Sequence, residues 1–177
     1  MNFLFPYAHL WFLPSWKERA RIVIGLLEFT LTAYQHGALG TFYMCNLSET
    51  DIGYTMLNDV KLQHITGILS RQQLHEQLSS RACSNDSDCR YTDQCIGVCD
   101  FTSRTCTANI TKPNLSHVCS LIKQYIVKGA PRFLLGDLLH ILDKCEHLHH
   151  DQDKLDLNHS LILNDLKLLL WKQISNS

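Results

Sequence analysis

No run in this 177-residue chain reaches the roughly 18 consecutive apolar residues that a membrane-spanning helix requires. An excess of either charge is also missing: 16 Lys and Arg stand against 17 Asp and Glu, a net charge of −1, with the basic residues scattered. No basic stripe interleaved with aromatics occurs, so the electrostatic footprint of a nucleic-acid binder is absent and no nucleic-acid partner is expected. There is no internal repeat and no low-complexity tract. Eight cysteines are present, yet none form a C-x2-C pair, which weakens any reading as a zinc site. The length allows one ordinary domain with a core, or a core with an appended module.

The chain is instead organised around Cys83–Cys106. Five cysteines (Cys83, Cys89, Cys95, Cys99 and Cys106) are separated there by five, five, three and six residues. The segment is short of aliphatics and rich in Asp, Ser, Thr, Asn and Arg, so burial of apolar surface cannot hold it together. Cross-links that restrict the unfolded chain fit better than a metal. The simplest reading also takes Cys45 into a disulfide and lets Cys119 and Cys145 tie the later helices, although connectivity does not follow from sequence. Persistent disulfides imply the secretory pathway or beyond. Five sequons agree with that compartment, at Asn46, Asn85, Asn109, Asn114 and Asn158.

Taken in order, residues 1–14 (MNFLFPYAHLWFLP) form an apolar segment without a positive n-region or a small-residue cleavage site. It does not read as a signal peptide, and a targeting segment is expected outside this chain. Ser15 caps a helix of about twenty residues with a charged first turn from Lys17 to Arg21, and Gly37 and Gly40 end it. Thr41–Cys45 has strand composition, and Ser48–Asp51 is loop-like. Ile52–Met56 and Val60–Ile65 form a hairpin around Asn58-Asp59, and Ile68–Leu78 reads as a short amphipathic helix. Beyond the cysteine cluster, helices are expected over Leu115–Lys128, Phe133–Cys145 and Leu161–Ile174, the last amphipathic, with Asp151–Asp156 a polar connection. The fold class is mainly α with a small β-hairpin.

This order resembles the C-terminal lobe of a protein kinase from its central helix onward. PSWKERARIVIGLLEF, FYMCNLSETDIGY and the CSNDSDC…C…C…C run resemble the corresponding segments of the divergent protein kinase domain family, over about residues 10–145. The resemblance implies a kinase-like C-terminal lobe with an inserted disulfide-rich module. It divides the chain into the segment 1–14, a central helix with degenerate catalytic loop and hairpin (15–79), the cysteine-rich module (80–111) and C-terminal helices (112–177). It also implies residence in the endoplasmic reticulum or Golgi lumen, secreted or held by a membrane anchor in a segment missing from this chain. A kinase catalytic loop sets its base Asp five residues before a metal-binding Asn, and the D-F-G Asp follows about thirteen residues later. The corresponding positions here are Asn46, Asp51 and His64. A neutral amide cannot act as a general base, and an imidazole is a poor Mg²⁺ ligand. The 177 residues contain no Gly-rich phosphate loop and no strand lysine paired to a helix glutamate.

The resulting expectation is a non-catalytic, kinase-derived glycoprotein that binds or regulates a protein partner and needs no cofactor. Two alternatives stand beside it. One is the C-terminal part of an active atypical kinase, which would require ATP and Mg²⁺; the other is a small secreted cysteine-rich ligand or inhibitor. CSNDSDC resembles the opening of whey-acidic-protein inhibitor modules, but those carry adjacent cysteines and this cluster has none. His140, Cys145, His147, His149 and His150 crowd into HILDKCEHLHH, and Asp86, Asp88 and Asp93 sit in one loop. The spacing of the first group favours a solvated helix end, and the second lacks the glycine and bidentate glutamate of a calcium loop. Cys45 could act as a nucleophile only with a base such as His64 beside it.

Overall fold

The computed structural model describes residues 2–3, 14–35, 42–55, 59–62, 65–148 and 155–175. The elements in chain order are β1 (Asn2–Phe3), α1 (Trp16–Gln35), β2 (Phe42–Met44), β3 (Ile52–Tyr54), β4 (Val60–Leu62), β5 (Ile68–Ser70), α2 (Arg71–Leu78), β6 (Gly97–Asp100), β7 (Thr105–Ile110), α3 (Asn114–Val127), α4 (Arg132–Glu146) and α5 (Leu155–Ser175). The strands form three small antiparallel sheets, β1-β3-β4, β2-β5 and β6-β7. Helices dominate, as the periodicity predicts, and β3 and β4 make the expected hairpin with Gly53 opposite Lys61. Among the described residues no helix is long and apolar enough to cross a membrane.

Several elements depart from the sequence reading. Ile68–Leu78 is not one helix: Ile68–Ser70 is a strand and the helix starts at Arg71. The reason is a capping box, in which the Ser70 hydroxyl accepts from the Gln73 amide while the Gln73 side chain bonds the Ser70 amide. The cysteine-rich segment contains an antiparallel hairpin, β6-β7, with a register shift between Gly97 and Cys99. Asn2 and Phe3 pair with β3, adding a third strand; the rest of the apolar segment, Gly37, Gly40, Asn58 and His64 lie outside the described residues. The last helix begins at Leu155, not Leu161, and it is not simply amphipathic. It buries Leu163, Leu166, Leu170 and Ile174 while leaving Leu157, Leu161, Leu168 and Trp171 exposed.

Two apolar cores result. The larger is built by α1, α3, α4 and α5 with Ile52 and Tyr54 from β3, and centres on Ile22, Leu26, Leu115, Ile122, Leu138 and Leu166. The smaller gathers six of the cysteines with Leu74 and Leu78 of α2 and Ala108 and Ile110 of β7. The cysteine-rich segment therefore does have a core, but half of its aliphatic content is borrowed from α2. β2 separates the two cores: Tyr43 and Cys45 point into the smaller one and Met44 into the larger, as strand alternation dictates.

The charged first turn of α1 has a structural use. Arg19 is buried, and its guanidinium donates to the carbonyls of Tyr125 and Lys128, while the Trp16 indole donates to Ile126 O at 2.8 Å. These carbonyls belong to the last turn of α3, which no intrahelical amide can satisfy. Gly129 follows with φ +74°, the left-handed position that ends a helix at low cost. The guanidinium also lies 5.7 Å from the Tyr125 ring centroid. Burial lowers the Arg19 pKa from its ordinary value, and the neighbouring Tyr125 opposes that shift. Replacing Arg19 with Ala would strand two carbonyls and is expected to cost about 3 kcal/mol, read from denaturant midpoints with the disulfides intact. Arg19→Lys should recover less than half, because an ammonium cannot span both acceptors.

Candidate functional site: a loop clamped by the cysteine-rich module

The loop that matters begins where β2 ends. Cys45 is bonded to Cys95, so the thiol weighed above as a nucleophile is not available as one, and both residues are 1% exposed. The other bridges are Cys83–Cys99, Cys89–Cys106 and Cys119–Cys145, which leaves no free cysteine. The sulfurs of Cys83, Cys89 and Cys106 lie within 4.8 Å of one another only because two disulfides pack side by side. Cys119–Cys145 ties α3 to α4 and takes Cys145 out of any ligand set with His140 and His147. Those two histidines are exposed, and His149 and His150 lie outside the described residues.

Around the Cys45–Cys95 bridge the module grips the loop backbone. The Gln94 side chain donates from Nε2 to Leu47 O and accepts at Oε1 from Leu47 N, both at 2.7 Å. The Thr92 hydroxyl donates to Cys45 O. From the opposite side, the Gly67 carbonyl accepts from Cys45 N at 2.7 Å and from Asn46 N at 3.2 Å. A methyl group built on Gly67 would lie 2.5 Å from Asn46 O, so this approach requires glycine. Thus the exit of the β3-β4 hairpin abuts the loop, and the module fixes it from the other flank. Neither Gln94 nor Thr92 carries a signal that sequence reasoning could use.

The kinase-position residues differ in their surroundings. Asn46 is exposed. Asp51 closes a 3-10 turn (Glu49–Asp51), its Oδ2 accepting from the Ser48 amide at 2.9 Å and the Ser48 hydroxyl at 2.6 Å. That oxygen is occupied by local capping. His64 lies outside the described residues, although its neighbour Ile65 is 67% exposed.

The sequons also differ. Asn46, Asn85 and Asn158 are exposed and Asn109 is half-buried, accepting from Arg71 Nη2 at 3.0 Å. Asn114 is 1% exposed, and its amide is committed: Nδ2 donates to Phe42 O at 2.8 Å and Oδ1 accepts from Met44 N at 2.9 Å. It cannot carry a glycan in this fold, and its role is to dock α3 onto β2. In the acidic loop, Asp86 accepts from Cys99 N, Asp88 from Ser84 and Asn85, and Asp93 pairs with Arg90. The three carboxylates serve separate partners and do not converge on a cation.

His117 of α3 completes the clamp. Its ring lies near the Gln94 backbone, and its Nε2 is buried with no hydrogen-bond partner among the described residues. Burial lowers its pKa below the usual 6.5; the Lys112 charge adds to this and the Gln94 carbonyl opposes it. The unfolded chain therefore takes up the proton first. The stabilisation is complete above about pH 6.5 and is lost as pH falls through the lower folded value. Denaturant midpoints should drop as pH falls below about 6.5, and His117→Gln should flatten that slope. Losses tied to the Ser84- and Asn85-bonded Asp88 belong to lower pH, because its pKa is lowered from 3.8. Gln94→Ala is expected to cost about 2 kcal/mol and to speed amide exchange at Leu47, and Gly67→Ala should force Asn46 and Gly67 apart with a similar loss.

A family model described as the protein-kinase domain of FAM69 matches residues 4–148. The match takes in the central helix, the clamped loop, the whole cysteine-rich module and α4, and ends before α5. No solved structure matches the chain. The order of the tryptophan-led central helix, the Asn46–Asp51 loop and the cysteine cluster is thus that of a known kinase-domain family: the chain belongs to the FAM69 protein-kinase-domain family.

Proposed function

We propose that this chain is a non-catalytic member of its kinase family, working in the lumen of the endoplasmic reticulum or Golgi as a glycosylated module that binds or regulates a protein partner. The observation that carries the proposal is the loop Cys45–Asp51. Its base position is an amide, which has no lone pair basic enough to take a hydroxyl proton. Its second polar position, Asp51, spends one carboxylate oxygen on Ser48. The backbone between them is held by Gln94, Thr92 and a disulfide. A kinase catalytic loop presents a carboxylate base and one metal-binding asparagine; this one presents a sequon asparagine to solvent at the base position.

The oxidised state supports the compartment, since four disulfides persist only in an oxidising environment. The core of the cysteine-rich module argues against an autonomous secreted ligand. It includes Tyr43, Cys45, Leu74 and Leu78, all outside Cys83–Cys106, so that segment excised alone would lose much of its interior.

Nucleotide binding separates this reading from an active kinase. A ligand at a hundredfold excess over its Kd stabilises the native state by about 2.7 kcal/mol, several degrees in Tm. Millimolar Mg-ATP is expected to leave the Tm of the full chain unchanged, for both the wild type and Asn46→Asp. A shift of several degrees in the wild type would instead favour the atypical-kinase reading. Glycopeptide mapping of protein from a secretory host should find sugar on Asn46 and none on Asn114. A glycan on Asn46 would cover the loop, whereas an unmodified Asn46 in fully oxidised protein would leave it open and favour the atypical-kinase reading.

A further inference from the structure

The sequon Asn114-Leu115-Ser116 carries a conflict that the other four do not. Both of its polar residues are used inside the fold. Asn114 and Ser116 are 1% and 3% exposed, the Asn114 amide bonds Phe42 O and Met44 N, and the Ser116 hydroxyl donates to Glu146 O at 2.6 Å. In the extended chain the same three residues are a complete acceptor, with no proline between asparagine and serine. A branched sugar on Asn114 Nδ2 would stand where α3 meets β2, so a chain modified there cannot reach this fold. Folding comes too late to hide the site. α3 is held by α4 through the larger core, the Cys119–Cys145 bridge and the Ser116–Glu146 contact. Those partners lie 26 and 30 residues further on, a delay of roughly 1–6 s at the usual rates of synthesis.

We propose that Asn109 is a glycan acceptor whose sugar keeps the neighbouring Asn114 bare, so that α3 can dock on β2. The inference rests on the secretory-lumen reading above. Asn109-Ile110-Thr111 stands five residues ahead of the buried sequon and enters the lumen first. It has room for a sugar in the fold. Asn109 is half-buried, its Oδ1 accepts from Arg71 Nη2 at 3.0 Å, and its Nδ2 has no hydrogen-bond partner among the described residues. In the transfer, Asn109 Nδ2 bonds the anomeric carbon of an oligosaccharide carried on a lipid pyrophosphate. The sugar–phosphate C–O bond breaks, the lipid pyrophosphate leaves, and the amide loses one proton to a base of the host's transferase.

Five residues span at most about 17 Å when fully extended. A bulky oligosaccharide on Asn109 therefore crowds Asn114 at the moment when the transferase would have to place a second one beside it. The other sequons are too far away to do this. Asn85 lies beyond the whole β6-β7 hairpin, and Asn158 follows on α5. The inference does not depend on the non-catalytic reading, because it concerns the docking of α3 and not the loop Cys45–Asp51.

The test is glycopeptide mapping of the full chain made in a secretory host, on retained and secreted protein together, with the secreted yield measured alongside. In the wild type Asn109 should carry sugar and Asn114 none. Thr111→Ala removes the upstream acceptor, and the Thr111 side chain makes no hydrogen bond among the described residues, so the fold itself tolerates the change. This variant should gain sugar on Asn114 and lose most of its secreted yield. Thr111→Ser keeps the sequon and should behave as the wild type does. Thr111→Ala combined with Ser116→Ala removes both acceptors and should recover the yield of Ser116→Ala alone, which reports the cost of losing the Glu146 contact. An Asn109 left bare while Asn46 carries sugar, or an Asn114 still bare in Thr111→Ala, would overturn the proposal. So would a Thr111→Ala chain modified at Asn114 and secreted in full. A wild type with free thiols and no sugar at any sequon would remove it together with the compartment reading.

Discussion

The structure depends on β2 belonging to two cores at once. β2 sends Tyr43 into the cysteine-rich core and Met44 into the helical core, and Cys45, the residue that follows it, returns to the cysteine-rich core. The backbone of β2 is satisfied from both flanks. β5 pairs with it in antiparallel register, and the Asn114 amide supplies the two hydrogen bonds that a further strand would have made. Take away any one of these and the two cores lose their common wall. The asparagine is costly to replace because it sits in a buried site where both its donor and its acceptor are used.

The loop that follows inherits that rigidity. A covalent bridge at Cys45, a two-point side-chain clamp at Leu47 and the close approach of Gly67 at Asn46 fix three consecutive residues from three directions. The Cys45–Cys95 link closes a 50-residue span, and loop closure of that size restricts the unfolded chain by about 4 kcal/mol in the chain-entropy account. The backbone of this loop is thus held rigidly between the two cores. His117 lies beside it, with its Nε2 buried.

The helical side is assembled by similar economies of polar satisfaction. Arg19 and Trp16 of α1 complete the C-terminus of α3. Ser116 donates to Glu146 O, and Lys123 pairs with the Glu146 carboxylate, so the end of α4 is anchored beside the Cys119–Cys145 bridge. α5 is the exception. It buries Leu163, Leu166, Leu170 and Ile174 in the larger core and leaves Leu157, Leu161 and Leu168 exposed.

The sequence alone determined the helices, the β3-β4 hairpin, the oxidised cysteine framework and the kinase-family order, because each rests on local signals: 3.6-residue periodicity, Pro and Gly punctuation, cysteine density and motif spacing. It also determined that the loop after β2 carries an asparagine at 46 and an aspartate at 51, since residue identity needs no coordinates. Connectivity, by contrast, was decided in three dimensions. Cys45 reaches Cys95 across 50 residues, and no spacing rule encodes which of several near sulfurs it meets. The same holds for Asn114, which looks like a glycan acceptor in sequence and is a buried dock in the fold. Gln94 and Thr92 are ordinary loop residues until the hairpin turns them onto the Cys45–Leu47 backbone. The strand at Ile68–Ser70 was hidden because three apolar and polar residues before a helix have no period of their own, and β2 supplied the missing partner. Burial, pairing and charge compensation are relations between distant residues, and only the folded chain fixes which residues become neighbours.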